Sequence, residues 1–149
     1  MMNTSLGFRS SLLRCARLMS DEINTILLPY QLNYSLWQVM FVIREKTACT
    51  SIEIAEYLNV SKPSITKRVK ILAQMDILAH VQTDDKRQKK MMLSETGREL
   101  FQQCAKDIDA FEQRLIAPLA SQDIQHSIQI LHRVMQELEQ NTVGDDHAR

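Results

Sequence analysis

At 149 residues the chain is long enough for one domain with a real core and too short for two ordinary ones. Apolar residues make up 44% and charged residues 24%, the balance of a globular protein, so disorder is expected only at the ends, Met1 to Ser5 and Val143 to Arg149. The formal net charge is zero, which excludes a uniformly basic polyanion binder but leaves room for one with a basic face.

With only three glycines and three prolines, few tight turns are available and the class is expected to be mainly α. From Leu6 to Leu28, apolar residues recur at Leu12, Ala16, Met19, Ile23 and Ile26, the three-and-four spacing of one helical face. Pro29 is expected to end that helix. Ser35 and Gln38 have capping-box spacing and predict a second helix from about Leu36 to Lys46. Thr50 and Glu53 repeat the spacing and open a third, short helix through Ile54, Ala55 and Leu58. Asn59 and Val60 break it. Ser61 is a good N-cap for a fourth helix, with Pro63 in the first turn, where a missing N–H costs no helical bond. That helix is expected to bury Ile65, Val69 and Leu72 and to display Ser64, Lys67 and Lys70. Two short helices joined by a brief turn make a helix-turn-helix.

Leu78 to Thr83 and Lys89 to Leu93 can pair as a hairpin, a wing whose tip carries Asp84, Asp85, Lys86, Arg87 and Gln88. Ser94 caps a long helix with apolar positions Leu100, Cys104, Ile108, Phe111 and Leu115, running up to Pro118. A last helix places Ile124, Ile128, Leu131, Met135 and Leu138 on a heptad-like seam suited to another long helix.

Charge is distributed unevenly along this order. Between Ser61 and Lys90 lie eight basic residues against three acids, a local excess of +5, and the remaining 119 residues carry the compensating −5. Phosphate attraction decays within a Debye length, roughly 8 to 10 Å, so the local excess is what a duplex would meet. No stretch approaches the roughly 20 apolar residues of a membrane span, and no cleavable leader is evident, so a cytoplasmic protein is expected. Cys15, Cys49 and Cys104 show neither disulfide nor metal spacing and read as reduced thiols beside apolar positions. His80, His126, His132 and His147 share no metal spacing, and no phosphate loop or nucleophile elbow appears, so neither catalysis, a metal nor a cofactor is expected.

Over Leu6 to about Asn141 the chain resembles the multiple-antibiotic-resistance regulator (MarR) family. Thr50 to Ser61 looks like the family's first motif helix, and Ser64 to Leu72 like its recognition helix. Asp85, Lys86 and Arg87, followed after six residues by Ser94 to Gly97, are similar to the family's wing tip and the helix start that follows it. In three places the chain departs from the family pattern. Asp76 stands where a glycine is frequent; if it takes the left-handed cap conformation that glycine would favour, it does so at some steric cost, which Asp tolerates better than most residues. His80 replaces a strand arginine, and the wing tip is one residue shorter.

The resemblance implies a winged helix-turn-helix lobe over residues 35–93, with residues 6–30 and 94–141 as dimerisation helices, in a single chain. It further implies a homodimer on pseudo-palindromic double-stranded DNA operators, acting as a ligand-responsive repressor. DNA contacts would fall to Ser61, Lys62, Ser64, Thr66, Lys67 and Lys70 on the recognition helix and to Asp85, Lys86, Arg87 and Lys89 on the wing, with Arg87 in the minor groove. Arg68 is either a DNA contact or an intramolecular partner. A small aromatic or phenolic effector is implied near the junction of dimer helices and lobe, where Arg17, Trp37, Met40 and Phe41 are the candidate lining. Two other readings stay open: thiol-based redox sensing, although the family's sensor position aligns with Ser11 and not with Cys15, and a helical adaptor that binds no DNA.

Overall fold

The structure is a computed structural model that describes residues 7–82, 85 and 89–148, with the last seven of these described as helix alone. Six α-helices and two short strands follow one another as α1 (Phe8–Leu27), α2 (Tyr34–Lys46), α3 (Ser51–Leu58), α4 (Lys62–Gln74), β1 (Leu78–His80), β2 (Met91–Leu93), α5 (Glu95–Ile116) and α6 (Ser121–Ala148). This is the mainly helical, winged helix-turn-helix order expected from the sequence. The chain separates into two compact units between Ile108 and Asp109, inside α5.

The first unit is built around α2, in which Val39, Met40, Val42 and Ile43 have no exposed surface at all. A helix with so broad an apolar girdle must be covered on several sides, and α1, α3, α4 and β2 all pack against it. Its N-cap is Asn33, whose side chain accepts from the Leu36 amide at 2.8 Å, and the helix starts at Tyr34. The expected Ser35 and Gln38 cap is therefore corrected by two residues. Asn24 of α1 accepts from the Tyr34 amide at 2.7 Å, so a contact from outside the helix helps to set its start. Pro29 does not simply stop α1: it sits at the head of a 3-10 turn, Leu28–Tyr30, that closes on Gln31 in the left-handed region.

The wing base is an antiparallel pair in the register Leu78 to Leu93, Ala79 to Met92 and His80 to Met91. It is shorter than the expected hairpin, although the Val81 amide still donates to the Lys90 carbonyl at 3.0 Å. Met91 also exchanges both backbone bonds with Cys49, at 3.0 and 2.8 Å, so β2 is clamped from two sides.

The joint between wing and α5 is close-packed. Asp76 takes φ 58° after α4, the left-handed conformation that a glycine would adopt at less cost, and its carbonyl accepts from the Ser94 hydroxyl at 2.6 Å. The same hydroxyl oxygen accepts from the Gly97 amide at 3.0 Å, which makes Ser94 the cap of α5. Gly97 lies so near β1 that a Cβ would come within 2.2 Å of the Ile77 carbonyl oxygen.

Within α5, Cys104 is buried and Leu100 and Ile108 pack half-buried against the same core, as expected, and Phe101 is buried beside them. Cys49 and Cys104 lie in the core, whereas Cys15 is exposed on α1, which corrects the expectation that all three are sheltered. Burial, reinforced by the Glu53 carboxylate, pushes the Cys49 thiol up to about 11, and burial with Asp107 nearby does the same for Cys104. Tyr30 donates its hydroxyl to Asp107, tying the 3-10 turn to α5, and that bond raises the phenol above its ordinary value. In the second unit, Ile124 of α6 is half-buried, and Ile128, Leu131, Met135 and Leu138 stand exposed.

Two outcomes follow from the core. Gly97→Ala should lower unfolding free energy by about 2 kcal/mol or more in urea denaturation, because the clash is with backbone and outweighs the helix-propensity gain of about 1 kcal/mol. A neutral or stabilising result would mean that the joint is loose. In native protein at pH 8, a chromogenic disulfide should titrate Cys15 alone, since Cys49 and Cys104 hold their protons to about 11. Their stabilising share is complete below the ordinary thiol value of 9.0 and is lost as pH rises toward 11, where the unfolded chain releases protons that the folded chain keeps. Chemical denaturation between these pH values reads this directly, and a flat profile would contradict it.

Candidate nucleic-acid interface

The site begins with two short helices whose starts are chemically defined. Thr50 accepts from the Glu53 amide at 3.2 Å, and Glu53 accepts from the Thr50 amide at 3.1 Å, the reciprocal capping box expected of α3. The Thr50 amide holds the Glu53 carboxyl below its ordinary value. Asn59, at φ 54°, ends α3 in the left-handed region, which asparagine tolerates better than most residues, and so lets the chain reverse within three residues. Ser61 then caps α4 by accepting from the Ser64 amide at 3.4 Å.

Ile65 and Leu72 of α4 are fully buried and Val69 is partly buried, so the helix rests on one face. Thr66, Lys67 and Lys70 lie away from that face and Lys62 borders it at the helix start, and all four are exposed. None of these three lysines forms an ion pair among the described residues, and a cation with no local partner can offer its full charge to an external phosphate.

The hydroxyls are less free than the lysines. Thr66 donates to the Lys62 carbonyl at 3.0 Å, and Ser61 donates to the Ser64 hydroxyl oxygen at 2.9 Å. As placed, Ser61 and Thr66 present lone pairs outward, suited to amino groups on base edges, while Ser64 keeps its own proton to donate. The helix start offers fewer amides to an anion than its position suggests. Pro63 has no N–H, and that of Ser64 is taken by the cap, so attraction for phosphate falls to the lysines.

Arg68 makes intramolecular contacts. It is half-buried at the edge of the resting face, and its guanidinium donates to the Ser35 carbonyl at 3.4 Å and to the Gln38 side chain at 3.5 Å. Both bonds are long, but together they tie α4 to the first turn of α2 through residues that the sequence had suggested for a cap. No local pattern could have found that pairing, which spans some 30 residues.

At the wing, Asp85 and Lys89 are exposed, whereas Lys86 and Arg87 lie outside the described residues. The candidate effector residues do not form one cluster. Arg17 points into solvent from α1 and pairs with Asp21 at 3.5 Å, Met40 is sealed in the core, and Phe41 is about 38% exposed. Trp37 is buried and stacks on Phe101, with ring centroids 4.5 Å apart and planes 10° apart. Arg44 sits over the same Phe101 ring, its guanidinium carbon 5.0 Å from the centroid. Trp37 and Arg44 are about two turns apart on α2, so Phe101 acts as a knob wedged between them.

Comparison with known proteins agrees with this geometry. The MarR family profile matches residues 32–89, from the end of the 3-10 turn through the wing. The HTH-type transcriptional regulator YwoH of Bacillus subtilis (strain 168) is 31% identical over 108 residues, which cover 72% of this chain and 79% of that protein. Among solved structures, Staphylococcus aureus MarR in complex with salicylate and kanamycin matches with a TM-score of 0.82 at 24% identity, covering 89% of this chain and 91% of that one. The Staphylococcus aureus MepR–DNA complex matches with a TM-score of 0.78 at 14% identity, covering 91% and 99%. These two likenesses are of fold. Sequence and fold together place the chain in the MarR family of winged helix-turn-helix, DNA-binding transcriptional regulators, whose members are not enzymes.

Proposed function

We propose that the chain is a homodimeric, ligand-responsive repressor that reads pseudo-palindromic operators with α4 and grips the flanking duplex with its wing. The observation that carries the reading is the set Lys62, Lys67 and Lys70 on α4, exposed and without ion-pair partners among the described residues, while Ile65 and Leu72 of the same helix are buried. In this reading Ser61, Ser64 and Thr66 meet base edges and the lysines meet phosphates or guanine edges. Arg68 acts by holding α4 against α2 and not by touching DNA. Asp85, Lys86, Arg87 and Lys89 serve the wing, with Arg87 in the minor groove, where a planar fork of donors suits an acceptor-lined surface.

Residues 35–93 would form the reading lobe, and residues 6–30 and 94–141 the dimer helices. Support comes from apolar side chains left uncovered on each unit: Phe8, Leu13 and Leu18 on α1, and Leu119, Ile128 and Leu138 in the second unit, each between 45% and 63% exposed. Exposed apolar area on this scale belongs at an interface, and a second copy supplies the two-fold axis that half-sites about 10 base pairs apart, or a multiple of that, require. An effector would act by preferring one spacing of the two lobes. Arg17 and Phe41 are accessible to such a ligand as they stand, whereas Trp37 and Met40 reach one only if the core opens. The protein is read as cytoplasmic, since its proposed partner is chromosomal DNA and no described helix is long and apolar enough to cross a membrane.

The test is fluorescence anisotropy on a duplex selected from fragments of the source genome. Lys67→Ala and Arg87→Ala should each cost about 1–3 kcal/mol of specific binding while sedimentation still reports a dimer. The slope of log affinity against log salt should fall by about 0.9 for each phosphate contact removed. Unchanged affinity in both variants, or a flat salt response in the parent protein, would favour a helical adaptor instead.

A further inference from the structure

Residues 47–50 connect α2 to α3, and one of them, Cys49, also carries the bridge to β2. Thr47 stands at the head of that link with φ 66° and ψ −48°. Among the described residues, three other non-glycines have positive φ, namely Gln31, Asn59 and Asp76. Gln31 and Asn59 lie in the left-handed helical region, with ψ 28° and 48°, and neither is branched at Cβ. Thr47 is branched, and its negative ψ takes it out of that region, where such a residue is an outlier. Its angles, with the Ala48 amide donating to the Lys46 carbonyl at 2.7 Å, are those of the positive-φ γ-turn, the strained form of that turn.

Strain of this kind persists only where both flanks hold it in place. On the α2 side, the Thr47 amide donates to the Arg44 carbonyl at 3.3 Å. On the other side, Cys49 exchanges two backbone bonds with Met91, at 3.0 and 2.8 Å, and Thr50 is fixed by its capping box with Glu53. The first restraint belongs to α2 and the capping box to α3, and each moves with its own helix. Only the Cys49–Met91 bridge ties the link to a different element, so it is the restraint whose parting lets Thr47 relax. Thr47 is exposed and borders the open hollow between the end of α2, β2 and α5, which leaves its backbone room to move.

We propose that Thr47 is a strained hinge on which the Cys49–Met91 bridge opens and closes within the folded protein, parting β2 and its wing from the link between α2 and α3. Strain in the closed form raises the open population roughly ten- to a hundredfold over that of an unstrained residue at this position. Because Ser94 and Gly97 tie the wing base to α5, the start of that helix follows β2. The hinge deepens the reading above, on which it rests for its link to DNA: a duplex that holds the wing selects the closed bridge. Opening itself does not depend on whether α4 binds DNA.

The test is amide hydrogen exchange on the full-length protein. It is read at Cys49 and Met91, whose amides are the two donors of the bridge, and at Val42 and Ile43 in the fully buried part of α2. In the parent protein, the protection factors of Cys49 and Met91 should be at least about tenfold lower than those of Val42 and Ile43. They should also depend little on urea, the mark of an opening that exposes little surface. Thr47→Gly adopts these angles without strain and should raise the protection of both bridge amides at least about fivefold. Thr47→Ala keeps the Cβ and should raise it less. Both changes replace an exposed side chain, so the core is untouched. Binding of the selected duplex to the parent should raise protection at the bridge at least about threefold.

Protection and urea dependence at Cys49 and Met91 equal to those of Val42 and Ile43 overturn the proposal, because the bridge would then open only on global unfolding. Unchanged or lower protection in Thr47→Gly also overturns it, as does an equal effect of Thr47→Ala, which would assign the change to the lost side chain and not to the backbone. A bound duplex that leaves both bridge amides as they were refutes it too, since the bridge would then not move the wing. A parent protein that binds no duplex while its bridge amides respond to Thr47→Gly would sink the operator reading and leave the hinge standing.

Discussion

The sealing of Ile65 and Leu72 beneath α4 decides the chemistry of the whole lobe. Two fully buried aliphatic side chains, each contributing about 1.5–3 kcal/mol, fix the rotation of the helix about its own axis. Once that rotation is set, side chains at 62, 66, 67 and 70 have nowhere to go but solvent. The lysines are thus presented as a consequence of core packing, with no need of an acidic partner to steer them. Arg68, at the edge of the buried face, shows the other side of the same constraint. Its guanidinium lies against the start of α2, within reach of the Ser35 carbonyl and the Gln38 side chain.

What could be read from sequence was what is encoded within three or four residues. Thr50 with Glu53, Ser61 with Pro63, and Ser94 ahead of Gly97 are local devices, and each reappears as a cap in the structure. Asp76 at φ 58° is legible only through the resemblance, which puts a glycine there in many relatives. The errors lie where a distant group decides between local options. Asn33 and Ser35 are both acceptable caps for α2, and contacts from elsewhere, Asn24 on the Tyr34 amide and Arg68 on the Ser35 carbonyl, favour the first. Phe101, which the three-and-four pattern passed over, is buried beside Leu100 because its ring fills the gap between Trp37 and Arg44 on another helix. Cys15 sits beside apolar neighbours in sequence but on a helix whose apolar residues are themselves largely uncovered, so its neighbours gave no shelter.

Neutral composition and a polarised surface are compatible for a related reason. The positive excess between Ser61 and Lys90 is confined to one helix and one hairpin, and the compensating acids are scattered through the rest. At a Debye length of roughly 8 Å, a phosphate touching α4 senses the lysines and little of the rest of the chain. The average charge therefore says how the protein behaves in bulk solution, and the local charge says what it holds.

The joint of Asp76, Ser94 and Gly97 makes the wing base and the start of α5 a single piece. Ser94 bonds in both directions, and the absence of a Cβ at Gly97 closes the approach to Ile77, so neither element can tilt without the other. Any ligand that acts on this piece must do so through a difference in affinity between two arrangements of it. Driving a two-state equilibrium from one extreme to the other takes about 5.5 kcal/mol of such difference. A small ligand with a few charge-assisted bonds at a solvent-exposed surface falls short of that, since water and salt weaken such bonds. Control through this end of the molecule consequently requires a resting equilibrium close to balance, in which a difference of about 1.4 kcal/mol already changes the ratio of states tenfold.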